Sequence, residues 1–195
     1  MPKIVNHDKR MNQIAEAMWR VILDKGMEGA TVRNIAEEAG LSLGALRHYF
    51  KNQDDLLVYA MTLVKERATE RIETVAKQDL PPKEMVMAVL FEIVPVNEQS
   101  LVEMEVWFAF MAYVKHRRAE LNIPDDGIFT GVHKLIAYLA SSDLLKEGLD
   151  LDLEAERLYA VVDGIAIHAL FGADRLQSER VKQTLRYHID SICVS

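Results

Sequence analysis

The chain has 195 residues, half of them hydrophobic, and a single cysteine, Cys193. This length and apolar content allow one or two domains with a substantial core, whereas one cysteine can form neither an internal disulfide nor a cysteine-based zinc site. The net charge of −7 is unevenly distributed: residues 1–53 carry eight Lys or Arg against six acids and are therefore +2, which leaves −9 for the remainder. A mildly basic N-terminal segment on an otherwise acidic protein would orient the protein on a polyanion.

The first predicted element is a helix from Asp8 to about Lys25, ended by Gly26. Its apolar residues recur at helical spacing. The segment before it lacks the apolar core of a signal peptide, and the longest clean apolar run, from Val106 to Val114, is too short to cross a bilayer. The sequence therefore predicts a cytoplasmic protein that does not enter a membrane.

Residues 31–51 predict two short helices separated by a three-residue turn. Thr31 is suited to cap the first helix and Ser42 the second, because each hydroxyl can accept a hydrogen bond from a first-turn amide. Gly40 can adopt the left-handed conformation that ends the first helix. The residues expected to pack between the two helices, with Leu41 buried, are Ile35, Ala36, Ala39, Leu41, Leu46 and Tyr49. This pattern is typical of a helix-turn-helix that reads DNA.

The side chains on the outside of the second helix are candidates for DNA contact. Small residues at Gly44 and Ala45 would let the backbone approach base edges, and Ala45 could touch a thymine methyl group. Arg47 could bind a guanine or a phosphate, and the sequence leaves both open. The outward set is Ser42, Leu43, Gly44, Ala45, Arg47 and His48, with Lys51 beyond the helix end. The alternative is an ordinary helical hairpin whose charged face is merely solvated.

Residues 10–57, above all the sequence GLSLGALRHYFKNQDDLL, resemble the DNA-binding domain of the tetracycline-repressor (TetR) family of bacterial regulators. The resemblance implies an all-α fold of about nine helices, with a helix-turn-helix domain at 1–50 and a ligand-binding and dimerisation domain at 51–195. It also implies that a set of matching residues approaches the operator: Thr31, Arg33, Leu43, Ala45, Arg47, His48 and Tyr49. Arg47 departs from the family pattern, in which an aromatic residue is frequent, and Gln53 replaces a frequent phosphate-binding lysine. The first departure suggests a changed base preference, and the second removes one charge contact.

A long helix is predicted from Gln53 to Val75, with Asn52 as its cap and Pro81-Pro82 beyond its end. Because this helix begins against the DNA-reading unit and ends in the acidic remainder, we expect it to link the two mechanically.

Two further helices, 83–94 and 98–121, are rich in methionine and aromatic residues. Such a composition is typical of a core, and also of a small-molecule cavity between helices. Around the sequence VWFAF the second helix resembles the betaine-type branch, regulators related to the choline-responsive repressor. That resemblance suggests cation binding by Trp107 with Glu103 or Glu105. The candidate ligand residues are Phe91, Glu103, Trp107, Phe110, Met111, His133 and His168.

Three helices are predicted at the C-terminal end, 125–142, 153–171 and 178–192. The helix 153–171 is apolar around nearly its whole circumference, which predicts burial on both sides, and Gly164 permits a close neighbour. The last helix carries one apolar stripe: Val181, Leu185, His188, Ile189 and Ile192. The last two helices resemble the family's four-helix dimer contact, so we predict a homodimer through them. Alternatively, both helices close the core of a monomer.

No constellation for catalysis, metal binding or a cofactor is recognised. No histidine has a glutamate three residues before it, HExxH is absent, and no glycine loop could cradle a phosphate. We therefore predict a ligand-responsive transcriptional regulator, a dimeric repressor that binds a palindromic DNA operator and is released by a small molecule. The alternatives are an enzyme or carrier built on a helical bundle, and a ligand-independent DNA-binding activator.

Overall fold

The computed structural model describes residues 2–115, 127–171 and 177–194, with side chains from His7 onward. These residues form nine α-helices and no β-strand, which confirms the all-α prediction. The helices are α1 (Pro2–Gly29), α2 (Val32–Glu38), α3 (Leu43–Tyr49), α4 (Gln53–Ala76), α5 (Pro82–Ile93), α6 (Glu98–Val114), α7 (Ile128–Ser141), α8 (Leu151–Phe171) and α9 (Ser178–Ile192).

The helices pack as two compact units. The first contains the chain up to Arg67 and the part of α6 that begins at Glu105, and the second contains Ala68–Met104 with α7, α8 and α9. Helices α4 and α6 each contribute residues to both units. The boundary between residues 50 and 51, which was drawn by function, stays a prediction.

In the first unit, α1 is fastened to the N-terminal half of α4. The indole of Trp19 donates a hydrogen bond to the Ala60 carbonyl at 3.3 Å, and the Tyr59 hydroxyl donates to Asn12 Oδ1 at 2.6 Å. Burial of the Tyr59 hydroxyl, together with nearby acids, raises its pKa, so it stays a neutral donor. A hydrogen bond of this kind contributes about 1 kcal/mol to the free energy of unfolding. These two bonds therefore stabilise the packing of α1 against α4.

The second unit has its own apolar core. Helices α5, α7, α8 and α9 supply fully buried side chains to it, among them Leu90, Val132, Leu158 and Leu185. The stripe predicted on the last helix is buried as expected. Each such aliphatic side chain contributes roughly 1.5–3 kcal/mol when it leaves water, so this core can hold the unit together without a disulfide.

Helix boundaries differ from the predictions in three places. Helix α1 begins at Pro2 rather than Asp8, and Gly26, with φ of 67°, interrupts it where the sequence predicted its end. Helix α6 is described to Val114, and its predicted continuation to residue 121 lies outside the described residues. Helix α7 follows Gly127, whose φ of 75° is left-handed, whereas the predicted start at Asp125 lies outside the described residues.

The prediction that 153–171 is buried on both sides is wrong for the single chain. One face of α8 packs on the core, but Leu153 is 64% exposed and Phe171 is 84% exposed. Among the described helices, none alone has the length and apolar content needed to span a membrane. Helices α5 and α6 have that length and apolar content only when they are taken together, across a bend of 58°.

Candidate nucleic-acid interface

The N-terminus of α2 is built by Thr31. Its backbone is extended, with φ of −73° and ψ of 151°, and its Oγ1 accepts a hydrogen bond from the Asn34 amide at 3.2 Å. Because a hydroxyl that accepts can still donate, the Thr31 O–H can reach a phosphate oxygen. Thr31 and Arg33 are both exposed on this first turn. The predicted cap is confirmed, and it leaves the hydroxyl proton available for a DNA contact.

Gly40 makes the turn between α2 and α3. Its φ is 64°, a left-handed conformation that L side chains rarely adopt. The Gly40 amide donates to the Glu37 carbonyl at 3.0 Å and the Leu41 amide to the Ala36 carbonyl at 2.8 Å, which together form a Schellman motif. Leu41, which was predicted to be buried, is half-buried and packs against the buried core of the first unit.

Helix α3 turns one side inward and the other to solvent. Ser42 caps it, because its Oγ accepts from the Ala45 amide at 3.2 Å. Leu46 and Phe50, which are 0% and 3% exposed, anchor the inner side. The predicted DNA-contact residues that are exposed are Thr31, Arg33, Ser42, Gly44, Arg47, His48 and Lys51, and those that are half-buried are Leu43, Ala45 and Tyr49. All ten belong to α2, α3 and their flanking turns, and their contact with DNA stays a prediction.

Tyr49 has a packing role as well as a predicted DNA-contact role. Its ring meets His48 edge-on with centroids 5.6 Å apart, and it lies 5.1 Å from the ring of His7 on α1. Sequence reasoning missed His7, because no local pattern connects two residues 42 positions apart. The contact places the start of α1 beside the end of the candidate reading helix.

The cations of this surface are not neutralised by the described part of the chain. Arg33, Arg47 and Lys51 form no ion pair with any described carboxylate, whereas Arg20 on α1 pairs with Glu38 at 2.5 Å. Each cation that meets a DNA phosphate releases counterions, which contributes a salt-dependent affinity. The arrangement therefore favours a polyanion as the partner.

Two side-chain amides fix the turn that precedes α2. Gln53 Nε2 donates to the Ala30 carbonyl at 3.0 Å, and Asn34 Nδ2 donates to the Gly29 carbonyl at 2.8 Å. Gln53 occupies the position where the resemblance leads one to expect a phosphate-binding lysine. Its bond to Ala30 spans 23 residues of sequence, so no local signal could have revealed it.

The stretch Gly40–Gly44 also spells G-x-S-x-G, the pattern of a hydrolase nucleophile elbow. A nucleophile elbow requires a strand before the serine and a helix after it. Here Ser42 stands between two helices and serves as the cap of the second. The match therefore indicates helix capping and no catalytic serine.

The seven predicted ligand residues are divided between the two units. Trp107, Phe110 and Met111 pack in the core of the first. In the second, Phe91 and His133 are half-buried, Glu103 is buried and His168 is exposed. The ring of His133 packs edge-on against Phe129 at 4.5 Å. Their role in ligand binding stays a prediction.

Glu103 already has a cationic partner. Its two carboxylate oxygens accept hydrogen bonds from Arg71 at 3.3 and 2.8 Å, and Gln99 donates a further one at 3.1 Å. Arg71 also donates to Glu92 at 3.0 Å. Burial alone would lower the pKa of Arg71, but the hydrogen bonds and charges of Glu103 and then Glu92 raise it. The guanidinium therefore stays charged among these carboxylates.

Family models match both the helix-turn-helix region and the C-terminal region of the chain. Residues 14–60 match the family model described as bacterial regulatory proteins, tetR family. Residues 82–194 match the model of the C-terminal region of BetI-type transcriptional repressors.

Two curated relatives match along the whole chain. The HTH-type transcriptional regulator PksA of Bacillus subtilis (strain 168) is 58% identical over 194 residues, which cover 100% of this chain and 95% of that protein. The HTH-type transcriptional regulator BetI of Paraburkholderia phytofirmans is 32% identical over 210 residues, covering 100% of this chain and 99% of that protein.

Solved structures share the fold. A transcriptional regulator from Rhodococcus sp. Rha1 superposes with a TM-score of 0.79 at 27% identity, covering 93% of this chain and 95% of that one. A regulator from Saccharomonospora viridis, solved in complex with choline, has a TM-score of 0.78 at 19% identity and covers 96% of this chain and 100% of that one.

Proposed function

The chain belongs to the TetR family of DNA-binding transcriptional regulators, and from this membership we propose that it is a cytoplasmic, homodimeric repressor that leaves a palindromic operator when a small molecule binds. The observation that carries the proposal is the capped and hinged pair α2–α3, whose outer side holds Arg33, Arg47 and Lys51 without ion-pair partners among the described residues. The family and the relatives are regulators rather than enzymes, so the enzyme alternative is set aside. The match to a repressor family favours repression over activation.

In this proposal α3 lies in the major groove. Gly44 is exposed with open space around it, so the backbone there can approach a base pair closely, while Arg47 reaches a base edge or a phosphate. Thr31 and Arg33 at the start of α2 and Lys51 after α3 bind the backbone phosphates that flank the groove. The operator thus contacts both helices of the motif.

The exposed face of α8 supports a dimer. Leu153, Gly164, Ile167 and Phe171 are spaced by 11, 3 and 4 residues and therefore share one helical face. A Cβ atom added at Gly164 would meet nothing within 4 Å, so the backbone of α8 is open at this point to close approach by a helix of another subunit. Tyr187 on α9 adds a further ring that is 80% exposed. A two-fold dimer through these helices would set two copies of α3 about one turn of the duplex apart, or a multiple of it.

The effector is proposed to act through α4. The Saccharomonospora viridis regulator holds choline in the same fold, which supports a small-molecule site in this architecture. In the present chain the carboxylate of Glu103 is engaged by Arg71, so a cationic effector bound there would have to displace a guanidinium. An effector that binds the DNA-incompetent state more tightly would shift α4 and release the operator.

Gel retardation with a short palindromic duplex tests the DNA-binding part of the proposal. Gly44→Glu is the decisive variant, because a Cβ atom added there meets nothing within 4 Å and the glutamate brings a carboxylate to the proposed groove face. Gly131→Glu on α7 is the matched control, since a Cβ atom added there also meets nothing within 4 Å. We expect the control to retard the duplex as the wild type does and Gly44→Glu to lose retardation with unchanged helical circular dichroism. Undiminished binding by Gly44→Glu would contradict the proposed interface.

Release is tested by adding small molecules to the retarded complex, with choline as the first probe. The expected result is that at least one compound of a metabolite library lowers operator affinity and binds the DNA-free protein. Binding of the duplex that no compound weakens would favour a ligand-independent regulator.

A further inference from the structure

We propose that Gln53 is a positioning residue for operator binding, whose side-chain amide ties the first turn of α4 to the turn that sets the start of α2. The inference rests on the proposed role of Thr31 and Arg33 as DNA contacts. It assigns to Gln53 a role within the protein, in place of the phosphate contact that a lysine would make at this position.

The hydrogen bond joins two well-fixed pieces of backbone. Gln53 Nε2 lies 3.0 Å from the carbonyl oxygen of Ala30, a residue that is 0% exposed and immediately precedes Thr31. On the donor side, Asn52 Oδ1 accepts the Asp55 amide at 2.7 Å and caps α4, which holds the backbone of Gln53. A change in the position of the first turn of α4 would therefore pull directly on the residue before Thr31.

The acceptor side is equally constrained by α2 itself. The Gly29 carbonyl accepts from the Thr31 amide and from Asn34 Nδ2, both at 2.8 Å, and Thr31 Oγ1 accepts the Asn34 amide at 3.2 Å. These bonds make residues 29–34 one rigid piece that carries Thr31 and Arg33. Gln53 supplies the hydrogen bond that joins this piece to α4, so the position of the proposed phosphate contacts depends on α4.

The chemistry of glutamine fits this role. Its amide has two N–H donors on a flexible stem of two methylenes, so one donor can satisfy a buried carbonyl. Methionine has a similar length without a donor, and glutamate has the same shape but presents only acceptors at neutral pH. Gln53→Met and Gln53→Glu therefore remove the hydrogen bond in two different ways, and Gln78→Met at the exposed position just beyond the end of α4 is a matched control.

The first measurement uses the full-length protein without DNA. Amide hydrogen exchange over residues 30–35 is expected to become about fivefold faster in Gln53→Met, the change in a local equilibrium expected for one hydrogen bond. Exchange in α8 and α9 should stay unchanged, and Gln78→Met should match the wild type throughout. Unchanged exchange over residues 30–35 in both Gln53 variants would overturn the proposal, because a residue that only touches DNA has no effect on the free protein.

The second measurement is a double-mutant cycle on a duplex selected from a random library by the wild-type protein. Gln53→Met should weaken binding about fivefold in the wild-type background and less than twofold when Arg33→Ala has removed a contact that depends on the turn. Independent, multiplicative effects would instead mean that Gln53 acts without the start of α2 and would overturn the proposal. If the wild type selected no duplex, the proposed function would fail, while the exchange experiment would still decide the role of Gln53.

Discussion

The guanidinium of Arg71 on α4 holds both carboxylate oxygens of Glu103 on α6, at 3.3 and 2.8 Å. Glu103 is 6% exposed, so its carboxylate is almost fully shielded from water beside this partner. One turn earlier on α4, Arg67 pairs with Glu16 on α1 and lies 4.9 Å from the ring centre of Trp19. Two arginines of α4 that are four residues apart therefore form ion pairs, Arg67 within the first unit and Arg71 within the second.

Removing the guanidinium from Glu103 should destabilise the protein. Arg71→Met leaves a buried carboxylate without its cation, and we expect the free energy of unfolding at pH 7 to fall by roughly 2–4 kcal/mol. The measurement is urea denaturation at one fixed protein concentration, because the stability of a dimer depends on concentration.

The double variant Arg71→Met/Glu103→Met is the control for this prediction. It removes the buried charge as well as its partner, so most of the lost stability should return. If the double variant were no more stable than Arg71→Met, the loss would come from packing of the arginine stem and not from the ion pair.

Arg47 should govern both the strength and the salt dependence of operator binding. Arg47→Ala is expected to lower affinity for a selected duplex by about tenfold or more, and to reduce the salt slope by about one for each subunit bound. Fluorescence anisotropy between low and moderate ionic strength measures both quantities, with Lys134→Ala on the exposed side of α7 as the control. An unchanged slope would place Arg47 away from the duplex.

Gly164→Glu should break the proposed dimer without unfolding the subunit. A Cβ atom added at Gly164 meets nothing within 4 Å in the single chain, but a glutamate would place a charge on the face that two copies of α8 are proposed to share. Sedimentation equilibrium is expected to show a dimer for the wild type and for Ala137→Glu on the exposed side of α7, and a monomer for Gly164→Glu. A dimeric Gly164→Glu would direct attention to a different face.

His188 should make stability depend on pH below neutrality. Burial lowers its pKa to about 4, and the positive charge of Arg157 acts in the same direction. The folded protein therefore binds a proton less readily than the unfolded chain. The resulting stability is fully present above about pH 6.5 and is lost as pH falls towards 4, by up to about 3 kcal/mol.

Replacement of His188 by leucine separates this effect from the titration of acids. The buried Nε2 of His188 has no hydrogen-bond partner in the described chain, so an apolar side chain should be tolerated. Denaturation at pH 7 and pH 5 is expected to show a smaller loss of stability for His188→Leu than for the wild type. Equal losses would mean that His188 is not the group responsible.

The sequence predicted those features that depend on neighbouring residues. Thr31, Gly40 and Ser42 act within one helical turn, where capping and left-handed backbone follow from residue type. The all-α fold and the buried stripe of α9 follow in the same way from helical periodicity.

Long-range partners could not be predicted in this way. Glu103 on α6 was predicted as a candidate for cation binding, but no local pattern could show that Arg71, 32 residues earlier, lies beside it. The exposure of one face of α8 could not be predicted either, because an apolar helix sequence does not show whether the neighbouring helix belongs to the same chain or to another. Gln53 was expected only to lack a phosphate contact, and its bond to Ala30 depends on how α4 packs against α2.

The most direct test of the central claim is enrichment of duplex DNA from a random library by the purified full-length protein. The account predicts a palindromic sequence whose half-sites are centred about one helical turn apart, or a multiple of it. It also predicts that Gly44→Glu enriches no sequence under the same conditions. Failure of the wild-type protein to enrich any duplex at low ionic strength would contradict the claim that α2 and α3 form a DNA-reading surface.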